Sequence, residues 1–237
     1  MADIIDSVET GEICTLEVTG LPYSLTLPYV WLPGEEQDIR IASLNLLGKI
    51  GWNRDLGRLL AARIRATFPD LAGHCFLTVV EKALQLAQVV AEELDQADLA
   101  VAYNRVKPHM EAGRRAVIQV GADSITSGGK CLALYERDIN LLAARASRGV
   151  IVLDDVITTG GTLAALADLL AQVGRVKRLP APLEIRAAFC VAVEGRRTRV
   201  PGIPVHALAQ LPDPTFRRPG SLAGRSRQES LWPTRSS

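Results

Sequence analysis

Three absences narrow the field before any motif is read. Aromatic residues make up 5% of the 237-residue chain, and its 27 Lys+Arg and 26 Asp+Glu nearly cancel to a formal charge of +1. With so weak an overall field, an anionic partner must be gripped locally, and neither specific nucleic-acid binding nor membrane attachment is expected. No apolar run approaches the roughly 18–20 residues of a membrane span. The first twelve residues hold Asp3, Asp6, Glu9 and Glu12 and no basic residue, so no secretory leader is expected. Cys14, Cys75, Cys131 and Cys190 form no Cys-x-x-Cys pair and lack a neighbouring His pair for a zinc site. They read as reduced and mostly buried, which points to the cytoplasm. What remains, 48% hydrophobic and 22% charged, is ordinary globular composition.

The chain divides into three parts. Residues 1–47 carry short apolar bursts, at 14–18, 25–32 and 39–47, broken by Pro22, Pro28, Pro33 and Gly34. Alternation with proline punctuation favours strands, so this is expected to be a small β-rich N-terminal piece. Residues 48–211 change pattern. Asn53 can cap a helix in which Leu56, Leu59, Leu60 and Ile64 recur at helical spacing. Strands are expected at 75–80, 99–103, 116–120, 131–135, 150–153 and 185–193, with helices at 83–94 and after 162, the latter stopped by Gly174. Alternating strands and helices imply an α/β fold, a parallel sheet flanked by helices and built by right-handed crossovers. The polar tip at 123–129, rich in Gly, Ser and Thr, is expected to be mobile. Residues 212–237 turn to Pro, Gly, Ser and Arg and read as a disordered basic tail.

Chemistry concentrates in one block. Val150-Ile151-Val152-Leu153 is a continuous apolar run, as in a strand covered on both faces, and Asp154-Asp155-Val156-Ile157-Thr158-Thr159-Gly160-Gly161-Thr162 follows it. Open α/β sheets bind ligands where the carboxyl end of a strand meets the amino end of a helix. Gly160 and Gly161 permit a sharp turn and close approach, the helix's unpaired N–H groups attract an anion, and Thr158, Thr159 and Thr162 add hydroxyls. Such a cradle suits a phosphate monoester. The adjacent acids suit two sugar hydroxyls, or a divalent cation carried by the substrate. The ligand so described resembles a ribose 5-phosphate. The block lacks the Gly-x-x-x-x-Gly-Lys of a Walker loop and the Gly-x-Gly-x-x-Gly dinucleotide fingerprint.

Residues 153–162 resemble the phosphoribosyl pyrophosphate motif of the type I phosphoribosyltransferases, and the likeness extends from about residue 39 to 211. The resemblance implies that family's fold, with the N-terminal piece as a hood and residues 115–136 as a mobile β-hairpin lid. It assigns the ribose hydroxyls to Asp154 and Asp155, which also serve Mg2+, through water or directly, and the 5-phosphate to Thr158, Thr159, Gly160, Gly161 and Thr162. Val80-Glu81-Lys82-Ala83 takes the place of the family's pyrophosphate loop, giving that role to Glu81 and Lys82. Residues 103–110 resemble the Arg-Lys-x-x-Lys-Pro stretch before the lid, adding Arg105 and Lys107 to the pyrophosphate.

The activity implied is purine phosphoribosyl transfer, adenine first: adenine and phosphoribosyl pyrophosphate to AMP and pyrophosphate. Leu132-Ala133-Leu134-Tyr135 with Asp138 resembles the strand closing the lid in adenine-type enzymes. Thr158 argues against the hypoxanthine-guanine subgroup, which usually has aspartate there. Xanthine or another oxopurine, and orotate, stay open as bases, as does a non-catalytic regulator that only senses phosphoribosyl pyrophosphate. Relatives are commonly dimers, so a homodimer is implied.

Overall fold

Of the 237 residues, the computed structural model describes 8–34, 36–104, 117–120, 131–195 and 202–218. The apolar runs of the middle region become five strands of one sheet: β4 (His74–Val79), β5 (Ala100–Ala102), β8 (Gly149–Ile157), β9 (Ile185–Glu194) and β10 (Val205–Leu211). Their order is β10-β9-β8-β4-β5 and every pairing is parallel. Val150 to Leu153 are almost fully buried, as a strand covered on both faces requires. One face of the sheet packs against α1 (Ile50–Thr67) and α2 (Leu84–Glu93), the other against α3 (Glu136–Arg145) and α4 (Gly161–Lys177), each over its own apolar core.

A second, antiparallel sheet forms the hood from β1 (Val8–Leu16), β2 (Leu25–Leu32), β3 (Asp38–Ala42) and β11 (Thr215–Arg217), in that order. Leu25, Leu27 and Cys14 point into the core shared with α1. The strands β6 (Val117–Val120) and β7 (Leu132–Tyr135) pair antiparallel. The tip expected at 123–129 lies outside the described residues. The four cysteines are unpaired, three of them buried. Among the described residues, no helix is long and apolar enough to cross a membrane.

Three expectations need correction. Asn53 does not cap α1; it sits a turn inside, and its amide donates to Leu46 O at 2.6 Å and Lys49 O at 3.0 Å. Gly174 does not stop α4. An internal glycine costs only about 1 kcal/mol, and the buried Leu169, Leu170 and Val173 carry the helix on to Lys177. There Arg178 turns left-handed (φ 51°), and Leu179 N–H reaches back to Gly174 O at 2.9 Å. The tail does not leave the fold at residue 212. Thr215 to Arg217 pair with β3, the Arg217 guanidinium stacks 3.8 Å from the Trp31 ring, and it meets the buried Asp38 carboxylate at 3.2 Å. Pairing and a shielded ion pair override the composition, so the hood joins both ends of the described chain. Residues 219–237 lie outside the described residues.

On the α1 side of the sheet, His74, Phe68, Phe189 and His206 form a train of rings at centroid spacings of 5.1, 6.3 and 4.7 Å. Burial holds both imidazoles below their usual pKa, helped by Arg148 and Arg186 at His74 and by Arg63 at His206. The folded state therefore favours neutral rings, and the unfolded chain takes up protons first as pH falls.

Two outcomes follow from this packing. The urea midpoint is expected to hold above pH of about 6.5 and to fall below it, with the fall flattened in a His74→Phe, His206→Phe variant. Arg217→Ala strands the Asp38 carboxylate and is expected to cost about 2 kcal/mol or more in equilibrium unfolding.

Candidate active site at the strand-order reversal

From β4 the chain winds outward to β5, then returns to β8 on the other side and continues to β9 and β10. The winding reverses between β4 and β8, and a crevice opens beyond the carboxyl ends of those two strands. The two are clamped just before it: the fully buried Thr78 hydroxyl donates to Leu153 O at 2.9 Å.

Asp154 and Asp155 lie inside β8, not in the turn beyond it. Asp154 pairs with Cys190 of β9, and the strand runs on to Ile157. Asp154 is half-buried and Asp155 only 7% exposed. Each carboxylate braces its own backbone: Asp155 N–H donates to Asp154 Oδ1 at 2.9 Å, and Val156 N–H to Asp155 Oδ1 at 2.8 Å. Beneath them, burial and then the charges of Asp154 and Asp155 push the Cys190 thiol far up, so it stays protonated. Burial likewise raises Glu194 at the end of β9.

A cavity of about 500 Å³ joins the two strand ends. Glu81, Lys82 and Ala83 after β4 form one wall, and Asp154, Asp155 and Thr162 the other. The Val80–Glu81 peptide is cis. A smaller hollow of about 30 Å³ opens at the start of α4, lined by Thr158, Gly160, Gly161 and Thr162 with Asp154. Thr159 belongs to the same turn, where its hydroxyl oxygen lies 3.4 Å from Gly161 N. Gly160 precedes α4 in a left-handed conformation (φ 81°). The positive end of α4 thus borders an anion-sized hollow.

The structure therefore brings together Glu81, Lys82, Asp154, Asp155 and Thr162 in one cavity, with Thr158, Gly160 and Gly161 in the adjoining hollow. Arg105 and Lys107 lie outside the described residues. Asn104, Cys131 and Leu132 also line the cavity; the sequence placed them beside the hairpin and in its closing strand but assigned them no part in the site. They arrive by a long-range contact: Tyr103 and Ala133 exchange both backbone hydrogen bonds at 2.8 Å, docking β7 beside the end of β5. Tyr103 and Tyr135 stack edge-on at 4.9 Å over that junction. Only the flanking positions of the expected hairpin could have signalled them. A further cavity of about 500 Å³ lies where β1 meets the end of β10, lined by Cys14, Thr15, Leu16 and residues 210–213.

Among the described residues, no group of three or more His, Cys, Asp or Glu side chains could hold a metal ion. Two carboxylates do suit Mg2+, which keeps several waters and takes its remaining ligands from substrate phosphate.

A family model described as the phosphoribosyl transferase domain matches residues 39–201. No curated protein matches the chain. Among solved structures, the chain is similar to adenine phosphoribosyl transferase from Trypanosoma brucei in complex with AMP, pyrophosphate and ribose-5-phosphate, at 18% identity over 77% of this chain and 76% of that one, with a TM-score of 0.49. It is also similar to APRTase from Giardia lamblia complexed with 9-deazaadenine, at 15% identity, 84% and 93% coverage and a TM-score of 0.44. A hypoxanthine-guanine phosphoribosyltransferase from Bacillus anthracis gives 16%, 74%, 85% and 0.44.

The two glycines of the turn are separable. A Cβ on Gly161 would meet only Thr159 Oγ1, at an ordinary 3.6 Å. Gly160→Ala is thus expected to cost about 1 kcal/mol in thermal or urea unfolding. Gly161→Ala should stay within about 0.5 kcal/mol of the parent.

Proposed function

Because the chain belongs to the phosphoribosyl transferase domain family, we propose that it joins the ribose 5-phosphate of phosphoribosyl pyrophosphate to a purine, adenine first, releasing pyrophosphate. One observation carries this reading: paired carboxylates, the lysine of the loop after β4 and the start of α4 converge on one crevice at the strand-order reversal.

In this reading Asp154 and Asp155 accept hydrogen bonds from the two ribose hydroxyls. The amides and hydroxyls of residues 158–162 hold the 5-phosphate at the positive end of α4. A ring nitrogen of the base, giving up its proton to solvent, then forms the new bond to the anomeric carbon while the bond from that carbon to the pyrophosphate oxygen breaks. Positive charge grows on the sugar and negative charge on the leaving group. Lys82, together with Arg105 and Lys107, meets the leaving group's charge. The hairpin rooted at the Tyr103–Ala133 bridge excludes water from the sugar. Mg2+, when bound with the substrate near Asp154 and Asp155, supplies further charge neutralisation on the pyrophosphate.

The cavity between β1 and the end of β10 supports placing base selection with the hood. Exposed Leu47, Ile50 and Leu84 beside the pyrophosphate loop supply an apolar face for the homodimer. The four unpaired cysteines favour a cytoplasmic setting.

The test is pyrophosphate release with and without Mg2+ against adenine, hypoxanthine, guanine, xanthine and orotate. Release is expected to need Mg2+ and to be fastest with adenine. Turnover with another base would move the specificity; silence with all five despite measurable phosphoribosyl pyrophosphate affinity would make the protein a regulator. Replacing both acids, Asp154→Asn with Asp155→Asn, is expected to lower kcat/KM at least about a hundredfold with an unchanged melting profile. Undiminished turnover refutes their assignment.

A further inference from the structure

The hood has two apolar faces, and the core accounts for one. Leu25, Leu27 and Tyr29 of β2 pack on the core, so the alternate positions Pro28, Val30 and Leu32 face away from it. Strand pairing extends that outer face: Ile13 opposes Pro28, Ile41 opposes Val30, Ile39 opposes Leu32, and Phe216 opposes Ile39. These seven side chains are apolar, Val30 among them buried, and Glu9 opposite Val30 and Thr15 opposite Thr26 border them on the β1 side. Ile13 and Phe216 are 66% and 58% exposed, and Pro28, Leu32, Ile39 and Ile41 are half-buried. An antiparallel sheet with one face in water ordinarily alternates to polar residues there. A contiguous apolar face of this kind marks a docking surface.

We propose that the occupant is the chain's own C-terminal segment, anchored by Leu231 and Trp232. Three observations select it. The first is position: β11 is the hood's edge strand, Phe216 belongs to the outer face, and the chain continues from Arg218 at that edge. The second is reach: the fourteen residues from Arg218 to Trp232 can span up to about 45 Å, whereas the four-stranded sheet is about 15 Å across. The third is chemistry. Residues 219–237 combine Leu222, Leu231 and Trp232 with Arg225, Arg227 and Arg235 against a single acid, Glu229. Residues 8–42 and 215–217 of the hood carry six acids against Arg40 and Arg217, which pair with Glu12 and Asp38 and leave four acids in excess. A basic segment with an aromatic anchor thus meets an apolar face on an acidic sheet, and the segment ties down the sheet that borders the β1–β10 cavity.

The test uses the full chain labelled with 5-fluorotryptophan at Trp31, Trp52 and Trp232, with the Trp232 fluorine resonance assigned through Trp232→Phe. Broadening of that resonance by a soluble gadolinium chelate is expected to be several-fold weaker than in the isolated peptide 219–237. Because Phe216 is exposed, Phe216→Ser should keep the fold, checked by circular dichroism, and return the broadening to the peptide's level. Peptide-like broadening in the parent chain overturns the proposal. So does protection that persists unchanged in Phe216→Ser and Ile13→Ser variants, which places the anchor elsewhere. Protection lost on dilution together with a fall in sedimentation coefficient assigns the face to a second copy and likewise overturns it.

Discussion

The reversal of winding between β4 and β8 is the constraint on which the rest of this structure depends. Parallel strands that wind in one direction carry their connections across each other's carboxyl ends; only where the direction changes does a gap remain. Here the gap is held to fixed width by the pairing of β4 with β8 and by the Thr78 hydroxyl on Leu153 O. The groups given the sugar and its 5-phosphate, and the first of those given the pyrophosphate, hang on the two strand ends so fixed: the Glu81–Lys82 loop on one and the acids and helix start on the other. In the proposed reading, a near-neutral chain handles a highly charged substrate because these groups are concentrated at one place, without help from an overall field.

Asp154 and Asp155 sit in the sheet itself, braced by the amides that follow them, so in the proposed reading the sugar is held by the least deformable part of the molecule. The hairpin and the hood attach at the margins. The base of the hairpin is bridged to the end of β5 and buries Ile118, Leu132 and Leu134 in the core. The hood draws strands from both ends of the described chain and is locked by Asp38 with Arg217.

How much could be read in advance followed from how local each determinant is. The strand β8 and the turn into α4 were plain, because a buried parallel strand is a continuous apolar run and a phosphate-sized turn requires glycine. Even there the strand ran on through the acids to Ile157, since pairing with β9 extends past the apolar run. The helix α3 escaped notice because its buried stripe is short, Ile139 and Leu142 beside the buried Asp138, whose carboxylate accepts Val101 N–H. β10 escaped because an edge strand half in solvent has no clean alternation. β11 is three residues in a Pro- and Arg-rich stretch, and only its distant partners, Asp38 and Trp31, make it a strand. The residue types of Asn104 and Cys131 do not mark them as lining the site; long-range pairing brings them to the cavity.

The most direct measurement of the central claim is a crystal structure of the protein soaked with phosphoribosyl pyrophosphate and Mg2+. The account predicts the 5-phosphate against the amides of residues 158–162, the ribose hydroxyls on Asp154 and Asp155, and the pyrophosphate beside Lys82. A ligand whose 5-phosphate lodges away from the start of α4, or whose hydroxyls leave both acids untouched, would contradict it.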